Sequence, residues 1–458
     1  MKPTRRSIMA AGLGAAAGAA IGPFGRLHRP MRNIVWIVAD AMRADAVGRV
    51  RPVQGTPASI TPNIDRLASE GLRFDRAIAP SSWTRISVGS FLWGTSPANV
   101  AYTASADDLV LRVPAPSLPV RLAGAGYETA MVNANWVLNL PAVAAQFGTF
   151  RTVASGTEDA GSWARHGDSM KRRATSAVLR ETERLAPVLA ASDRFFLYVH
   201  LMDTHEPYFC PAHLLGQLGG RFDRQIFTTK LNRVAHGADG ENLGGRSSAE
   251  ALGQLRLEYD AATMAVDAFV GVILGQFRRS GLLDDTLFIV TADHGEEFAD
   301  NVEGPPCVGH ALNLSQPQIH VPLVAWSSRG RVPQGRVEQP YPMRRALEEL
   351  TLHGAGMGEA PAFARVEPPA TLSLLRIADR FDGWSYIRGD MKLVGAFGDH
   401  NGAGIRAFRL GADPRAVPLP AGTEAIVAHV ARNSGDLFDP GGASIEQREG
   451  LKALGYLN

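Results

Sequence analysis

Three stretches of this chain are apolar almost without interruption, and each runs into a polar residue able to do chemistry. They are NIVWIVA at 33–39, followed by Asp40; FFLYVHL at 195–201, followed by Asp203 and His205; and TLFIVT at 286–291, followed by Asp293 and His294. A strand with one solvated face alternates apolar and polar side chains, whereas a strand covered on both faces reads as a continuous Val- and Ile-rich run. The three runs therefore predict interior strands of a largely parallel sheet. Residues 129–132 and 321–326 are further strand candidates. Helical patterns lie between them. Thr61-Pro62-Asn63 opens one, with Ile64, Leu67 and Leu72 apolar, Pro62 suited to the first helical position and Gly71 as a stop. Another covers 257–277, where Tyr259, Met264, Val266, Phe269, Val270 and Ile273 make a broad apolar face. Strands alternating with helices give an α/β class. In open α/β sheets ligands sit beyond the carboxyl ends of the strands, so Asp40, His205, Asp293 and His294 are expected at one site.

Length and composition agree with this. The chain has 458 residues, 45% of them hydrophobic, enough for a large α/β core and a smaller appendage. A formal charge of +2, from 47 basic and 45 acidic residues, lacks the basic excess that a nucleic-acid surface needs. Cys210 and Cys307 are the two cysteines, too few for a disulfide scaffold or a Cys-rich zinc site. They read as two buried thiols, with a mutual bridge as the alternative. The N-terminus, Thr4-Arg5-Arg6-Ser7-Ile8-Met9, leads into a weakly apolar Ala/Gly run ending near Ile21. A charged start before a short apolar run is a secretion signal, and the paired Arg give it a twin-arginine character. Residues 1–30 are therefore expected to direct export to the periplasm or beyond, either cleaved or kept as an anchor near the membrane. Residues 31–360 are expected to form the catalytic domain and 361–458 a smaller C-terminal α+β module, in which 389–398 reads as a short strand. Residues 237–248 are Gly-rich and polar and read as a mobile loop.

The pairing of Asp293 with His294 at a strand end, with Asp40 at another, suggests a metal site. Mixed oxygen and nitrogen donors suit Mn or Zn better than Ca, which prefers oxygen alone. Each residue by itself reads equally well as a cap or an ion-pair partner. Their combination favours one divalent ion (Mn, Zn, Mg or Ca), with a second left open.

An ordered series of motifs then resembles the sulfatase-like branch of the alkaline phosphatase superfamily. DAMRAD at 40–45 resembles the family's opening element, and TPNIDRLASEGLRFDRAIAPSSWT at 61–84 its next segment. GYETAMV at 126–132, HLMDTHEPY at 200–208, YDAATMAVD at 259–267, TADHGEEF at 291–298, and GH at 309–310 with HVPLV at 320–324 are similar in order and spacing. GDLFD at 435–439 and LKALGYL at 451–457 resemble the family's C-terminal end. The resemblance implies an alkaline phosphatase-like fold: a mixed, mostly parallel central sheet flanked by helices, with a small C-terminal module.

It also implies roles. Aligning on Gly94 puts Thr84 where family sulfatases carry the Cys or Ser that becomes formylglycine. Thr cannot be so converted, but a metal-bound Thr hydroxyl can attack phosphorus as the family's phosphatases do. The other reading of Thr84 is a helix cap. Ile86, Val88 and Trp93 replace the family's Pro, Arg and Thr, and NANWVL at 133–138 puts neutral residues where arylsulfatases bind sulfate. The metal set implied is Asp40, Thr84, Asp293 and His294. His205 and His310 resemble the family's active-site histidines, able to donate to an oxyanion or to protonate a departing oxygen. Arg85 and Asn135 are candidates to bind the substrate, against the readings of a solvent-facing Arg and a loop cap. Asp203 joins that set, either orienting His205 or helping to hold a second metal. His200 and His320 read as structural.

The expected function is thus a metal-dependent hydrolase or transferase acting on a small anionic phosphate or sulfate ester through Thr84. The alternatives are a sulfatase working without formylglycine and a pseudoenzyme that only binds an anion. Substrate choice is expected to lie in loops such as 139–190 and 236–250, which carry no readable code.

Overall fold

The computed structural model describes residues 30–434, apart from 103–107, 154–159, 207, 209, 222–246, 304–306, 362, 364–369, 378–379, 397–403 and 411–414. The twin-arginine segment, most of the 236–250 loop and the motifs at 435–439 and 451–457 lie outside the described residues.

The strands that build the main sheet are β1 (Asn33–Ala39), β2 (Leu72–Ile78), β3 (Glu128–Asn133), β4 (Thr149–Thr152), β5 (Phe195–Leu201), β6 (Thr286–Thr291), β7 (His320–Trp326), β8 (Gly335–Val337) and β9 (Tyr341–Pro342). Their order is β8-β2-β7-β6-β1-β5-β3-β4, with β9 also pairing β2. β1 runs parallel to both β5 and β6, and β3 and β4 continue in that sense. β7 alone is reversed, being antiparallel to β6 on one side and to β2 on the other. The sheet is therefore mixed and mostly parallel, flanked by helices. β1, β5 and β6 are buried at every residue, which is why their sequences carry no alternation. β2 was not legible as a strand: LRFDRAI alternates through partly exposed Arg and Asp near one edge of the sheet.

The helices α1 (Pro62–Glu70), α2 (Thr84–Leu92), α3 (Ala160–Ala191), α4 (Ser248–Arg279) and α5 (Met343–Gly354) accompany the sheet. α4 starts earlier than residue 257 because Ser247 and Glu250 close a reciprocal capping box. Trp36 of β1 is fully buried, edge-on to Phe196 and Phe91, and its indole N–H reaches Thr351 of α5 at 3.0 Å. That bond satisfies the one polar atom of a large core side chain.

A second, antiparallel sheet follows, with strands β10 (Thr371–Ile377), β11 (Arg380–Arg388), β12 (Met391–Ala396), β13 (Arg406–Arg409) and β14 (Arg415–Val417) in sequential order. A helix at Thr423–Ser434 completes this C-terminal α+β module. Its own core includes Leu374, Trp384 and Leu393. Among the described residues no helix is long and apolar enough to cross a membrane.

Gly71 turns α1 into β2, and here the backbones approach closely. A Cβ at this position would lie 2.3 Å from the Ala325 carbonyl oxygen of β7. Gly71→Ala is predicted to lower the urea midpoint of unfolding, by an overpacking penalty of about 1–3 kcal/mol. An unchanged midpoint would contradict this account of the turn.

Candidate active site

The parallel order β6-β1-β5 brings three chain segments out on one edge of the sheet. Asp40 follows β1, the turn with Asp203, Thr204 and His205 follows β5, and Asp293-His294 follows β6. The Asp40 amide extends the ladder by donating to the Leu201 carbonyl at 2.9 Å. Thr204 seals the same junction, its hydroxyl donating to the Asp40 carbonyl at 2.6 Å. Ala41 adopts a left-handed φ of 60°, and its N–H donates to Asp293 Oδ1 at 3.3 Å. Such strained non-Gly positions collect at functional sites.

Asp40, Asp293 and His294 are fully buried and offer ligand atoms that all lie within 4.8 Å of one another. Asp293 Oδ1 is used locally, accepting also from the His294 amide at 2.9 Å, whereas Oδ2 has no hydrogen-bond donor. Asp40 Oδ1 is likewise without one. The His294 ring donates from Nδ1 to the Gly295 carbonyl at 2.9 Å. A carbonyl only accepts, so this bond leaves the Nε2 lone pair of a neutral imidazole toward the carboxylates. Nε2 lies 3.4 Å from Asp40 Oδ1 and 3.6 Å from Asp293 Oδ2. Gly295 permits this turn because a Cβ there would sit 2.1 Å from the Pro317 carbonyl oxygen.

Thr84 begins α2 and is buried; Trp83, not Thr84, occupies the cap position, and no side chain caps that helix. The Thr84 hydroxyl stands 3.3 Å from Asp40 Oδ2 and 3.2 Å from His294 Nε2. Asn135 holds Asp40 Oδ2 through its amide N–H at 2.6 Å, and its carbonyl oxygen caps the short helix at Trp136–Leu138. Its amide therefore carries the loop-cap role together with a contact to Asp40. Arg85 donates from Nε to the Val137 carbonyl at 2.9 Å and is partly exposed.

The histidines gather on the same side. His310 has its ring centroid 4.5 Å from that of His294 and 4.5 Å from that of His205. Its Nδ1 donates to the Glu296 carboxylate at 3.2 Å. The His205 ring donates to the Glu206 carbonyl. Asp203 is buried in the same turn as His205. His320 is structural, donating to the Asp75 carbonyl at 2.7 Å across β7 and β2.

His200 does more than fill the core. Its Nε2 donates to Asp40 Oδ2 at 2.9 Å while Tyr198 donates its hydroxyl to Nδ1 at 2.9 Å, all within the fully buried interior. The signal was present in part: Tyr198 and His200 lie two apart on a strand and so share a face. Glu296, within the TADHGEEF motif, also belongs to the site through its contact with His310. Arg43, within DAMRAD, is buried and bridges Asp45, Asp300 and the Glu296 carbonyl, tying the first loop to the second.

Cys210 and Cys307 are both buried thiols, and no disulfide joins them.

Electrostatics separates the two carboxyls. Burial works against ionisation of Asp40, but His205, His200 and His294 outweigh it and hold that carboxyl well below the usual range. Burial, and then repulsion by Asp40, push the Asp293 carboxyl up. Two carboxylate oxygens without hydrogen-bond donors, an imidazole lone pair and a hydroxyl thus face one another in a buried pocket. Each bare buried oxygen costs roughly 1–3 kcal/mol unless a cation meets it. The donor set fits a divalent ion, which Asp40, Asp293, His294 and Thr84 would hold.

The Sulfatase family model matches residues 32–345, and enzymes of this superfamily use a metal ion. The chain is 23% identical over 379 residues to the multifunctional alkaline phosphatase superfamily protein PehA of Trinickia caryophylli, spanning 68% of this chain and 71% of that protein. It is 29% identical over 285 residues to arylsulfatase A of Homo sapiens, spanning 58% of this chain and 52% of that protein. The fold is similar to that of the phosphonate monoester hydrolase SpPMH from Silicibacter pomeroyi, with a TM-score of 0.63 and 18% identity over 90% of this chain and 98% of that one. The family match spans most of the chain and includes every strand that delivers a ligand atom: this protein belongs to the sulfatase family and is an ester hydrolase of the alkaline phosphatase superfamily, acting on sulfate or phosphate esters.

Proposed function

We propose that the chain is an exported, metal-dependent phosphoric ester hydrolase or phosphotransferase whose nucleophile is Thr84. One observation carries the reading. The Thr84 hydroxyl is not spent on capping its helix but stands between Asp40 and His294, at 3.3 and 3.2 Å. Thr, unlike the Cys or Ser that becomes formylglycine, cannot be oxidised to that aldehyde, so a Thr at this place supports attack on phosphorus over formylglycine chemistry. The neutral Asn135 region, where sulfate-binding cations are expected, supports it further.

A bound divalent ion would supply Lewis-acid chemistry, lowering the hydroxyl's pKa and offsetting charge on the ester. The chain's own groups do the rest. Asp40 is fixed by Asn135 and His200, so it holds one orientation as the ester binds. Thr84 gives its proton to solvent and attacks in line. The Thr84 Oγ1–P bond forms as the bond from phosphorus to the ester oxygen breaks. His310, oriented by Glu296, or its neighbour His205, protonates the departing oxygen. Water, or an acceptor alcohol, then displaces Thr84 from phosphorus. The first few N–H groups of α2 lack partners within the helix, which favours an anion beside Thr84.

Export rests on Arg5-Arg6 and the apolar run behind them. Replacing both by Lys is expected to leave the protein in the cytoplasm. Normal export of the double variant would point to another route.

The nucleophile is tested by trapping. The metal-loaded protein, incubated with aryl phosphate and quenched in acid, should carry a phosphoryl group on the peptide that contains Thr84. Thr84→Ala should abolish this mass shift and lower kcat by more than roughly 10³-fold, about 4 kcal/mol of barrier. A loss below roughly tenfold, near 1.4 kcal/mol, would rule out the role. Sulfate and phosphonate esters assayed beside the phosphate decide between the phosphatase and sulfatase readings.

A further inference from the structure

Among the described residues, Lys392 is a buried cation that the chemistry above does not use. Lys392 of β12 is fully buried, although it belongs to the second sheet and not to the catalytic one. Its ammonium pairs with the Glu303 carboxylate and donates to the Leu314 carbonyl at 2.6 Å. Glu303 Oε1 in turn accepts from the Gln316 amide at 3.2 Å. These bonds fasten Leu314 and Gln316, at the C-terminal end of the stretch that carries His310.

The same stretch is clasped from the other side. Glu297 accepts from the Cys307 amide at 3.1 Å, from Asn313 at 3.1 Å, from Ser315 at 2.7 Å and from Gln318 at 3.0 Å. Between the two clasps, Ala311 is forced to a left-handed φ of 61°, and its amide donates to the Ser82 carbonyl at 3.0 Å. The second sheet also touches the approach to Thr84. Leu374 donates its amide to the Pro80 carbonyl at 2.9 Å, and the Ser373 hydroxyl donates to the Ala79 carbonyl at 2.7 Å.

An ammonium taken from water is costly to bury even when paired, and an apolar side chain of similar size often packs as well. A Lys here therefore adds direction more than stability: it selects one carboxylate and one carbonyl. We propose that Lys392 is a positioning residue, which, through Glu303 and the Leu314 carbonyl, holds the 307–315 stretch so that His310 stands against His294 and His205. The proposal rests on the reading of His310 as an aid to the leaving group. It gives the C-terminal module a part in the reaction.

The test uses the full chain loaded with Mn or Zn, with two readouts. Amide hydrogen exchange in Lys392→Met should accelerate at 307–315 while 33–41 and 286–294 stay protected. With aryl phosphates of graded leaving group, kcat should fall roughly 10²-fold for phenyl phosphate but less than about tenfold for 4-nitrophenyl phosphate, which needs little protonation. Lys392→Arg should recover much of the rate. Adding Lys392→Met to His310→Ala should cause little further loss, because both act through one group. Should Lys392→Met not fold, Glu303→Gln, which keeps shape and removes the charge, carries the same two readouts. Exchange at 307–315 unchanged from wild type, or an equal loss across all leaving groups, would overturn the proposal. If the wild type hydrolyses none of the esters, the functional reading fails instead, and hydrogen exchange alone decides the role of Lys392.

Discussion

Two carboxylates, Asp40 and Asp293, are buried on neighbouring strands and turn toward each other. The arrangement is costly, since like charges in a buried interior repel and each keeps an oxygen without a donor. The rest of the site can be understood as what makes the pair tolerable. Asn135 and His200 each donate to Asp40, and the Ala41 and His294 amides donate to Asp293. Each carboxylate is thereby satisfied on one oxygen and left bare on the other. The two bare oxygens point to where a cation would sit, and the His294 ring is fixed to offer its lone pair to the same place.

Topology makes the convergence possible. Because β1 lies between β5 and β6 in parallel register, the chain leaves all three strands in the same direction. Three polar residues distant in sequence become neighbours without any long loop. The cost falls on the backbone just past the strands, where Ala41 takes a left-handed conformation and Gly295 admits the Pro317 carbonyl. Arg43 braces these turns, joining the loop after β1 to that after β6.

Legibility followed physical locality. β1, β5 and β6 were readable to their ends because double-sided burial writes a continuous apolar run. Asp40, Asp293 and His294 were readable because strand ends of such a sheet have one destination. β2 was hidden by its partly exposed alternation. The start of α4 is marked in the sequence by the capping box of Ser247 and Glu250, upstream of the apolar face at 257–277. His200 looked like core because its partner, Asp40, lies far away in sequence, and a single imidazole inside an apolar run carries no mark of what it faces. The place of Asn135 in the 133–138 segment marks it for the site and for a loop cap, but its bond to Asp40, 95 residues away, leaves no trace in the sequence. Lys392 could not be singled out at all, since an isolated Lys on a strand reads as exposed until its burial against Glu303 is seen.

Asp40, Asp293, His294 and Thr84 would together enclose a single divalent ion. Anomalous diffraction from crystals of the Mn- or Zn-loaded protein, recorded across the metal's absorption edge, tests it most directly. The account predicts one strong peak bounded by Asp40, Thr84, Asp293 and His294, at ligand distances of about 2.0–2.3 Å. A peak bound elsewhere, or an empty pocket in metal-saturated crystals with both carboxyls protonated, would contradict it.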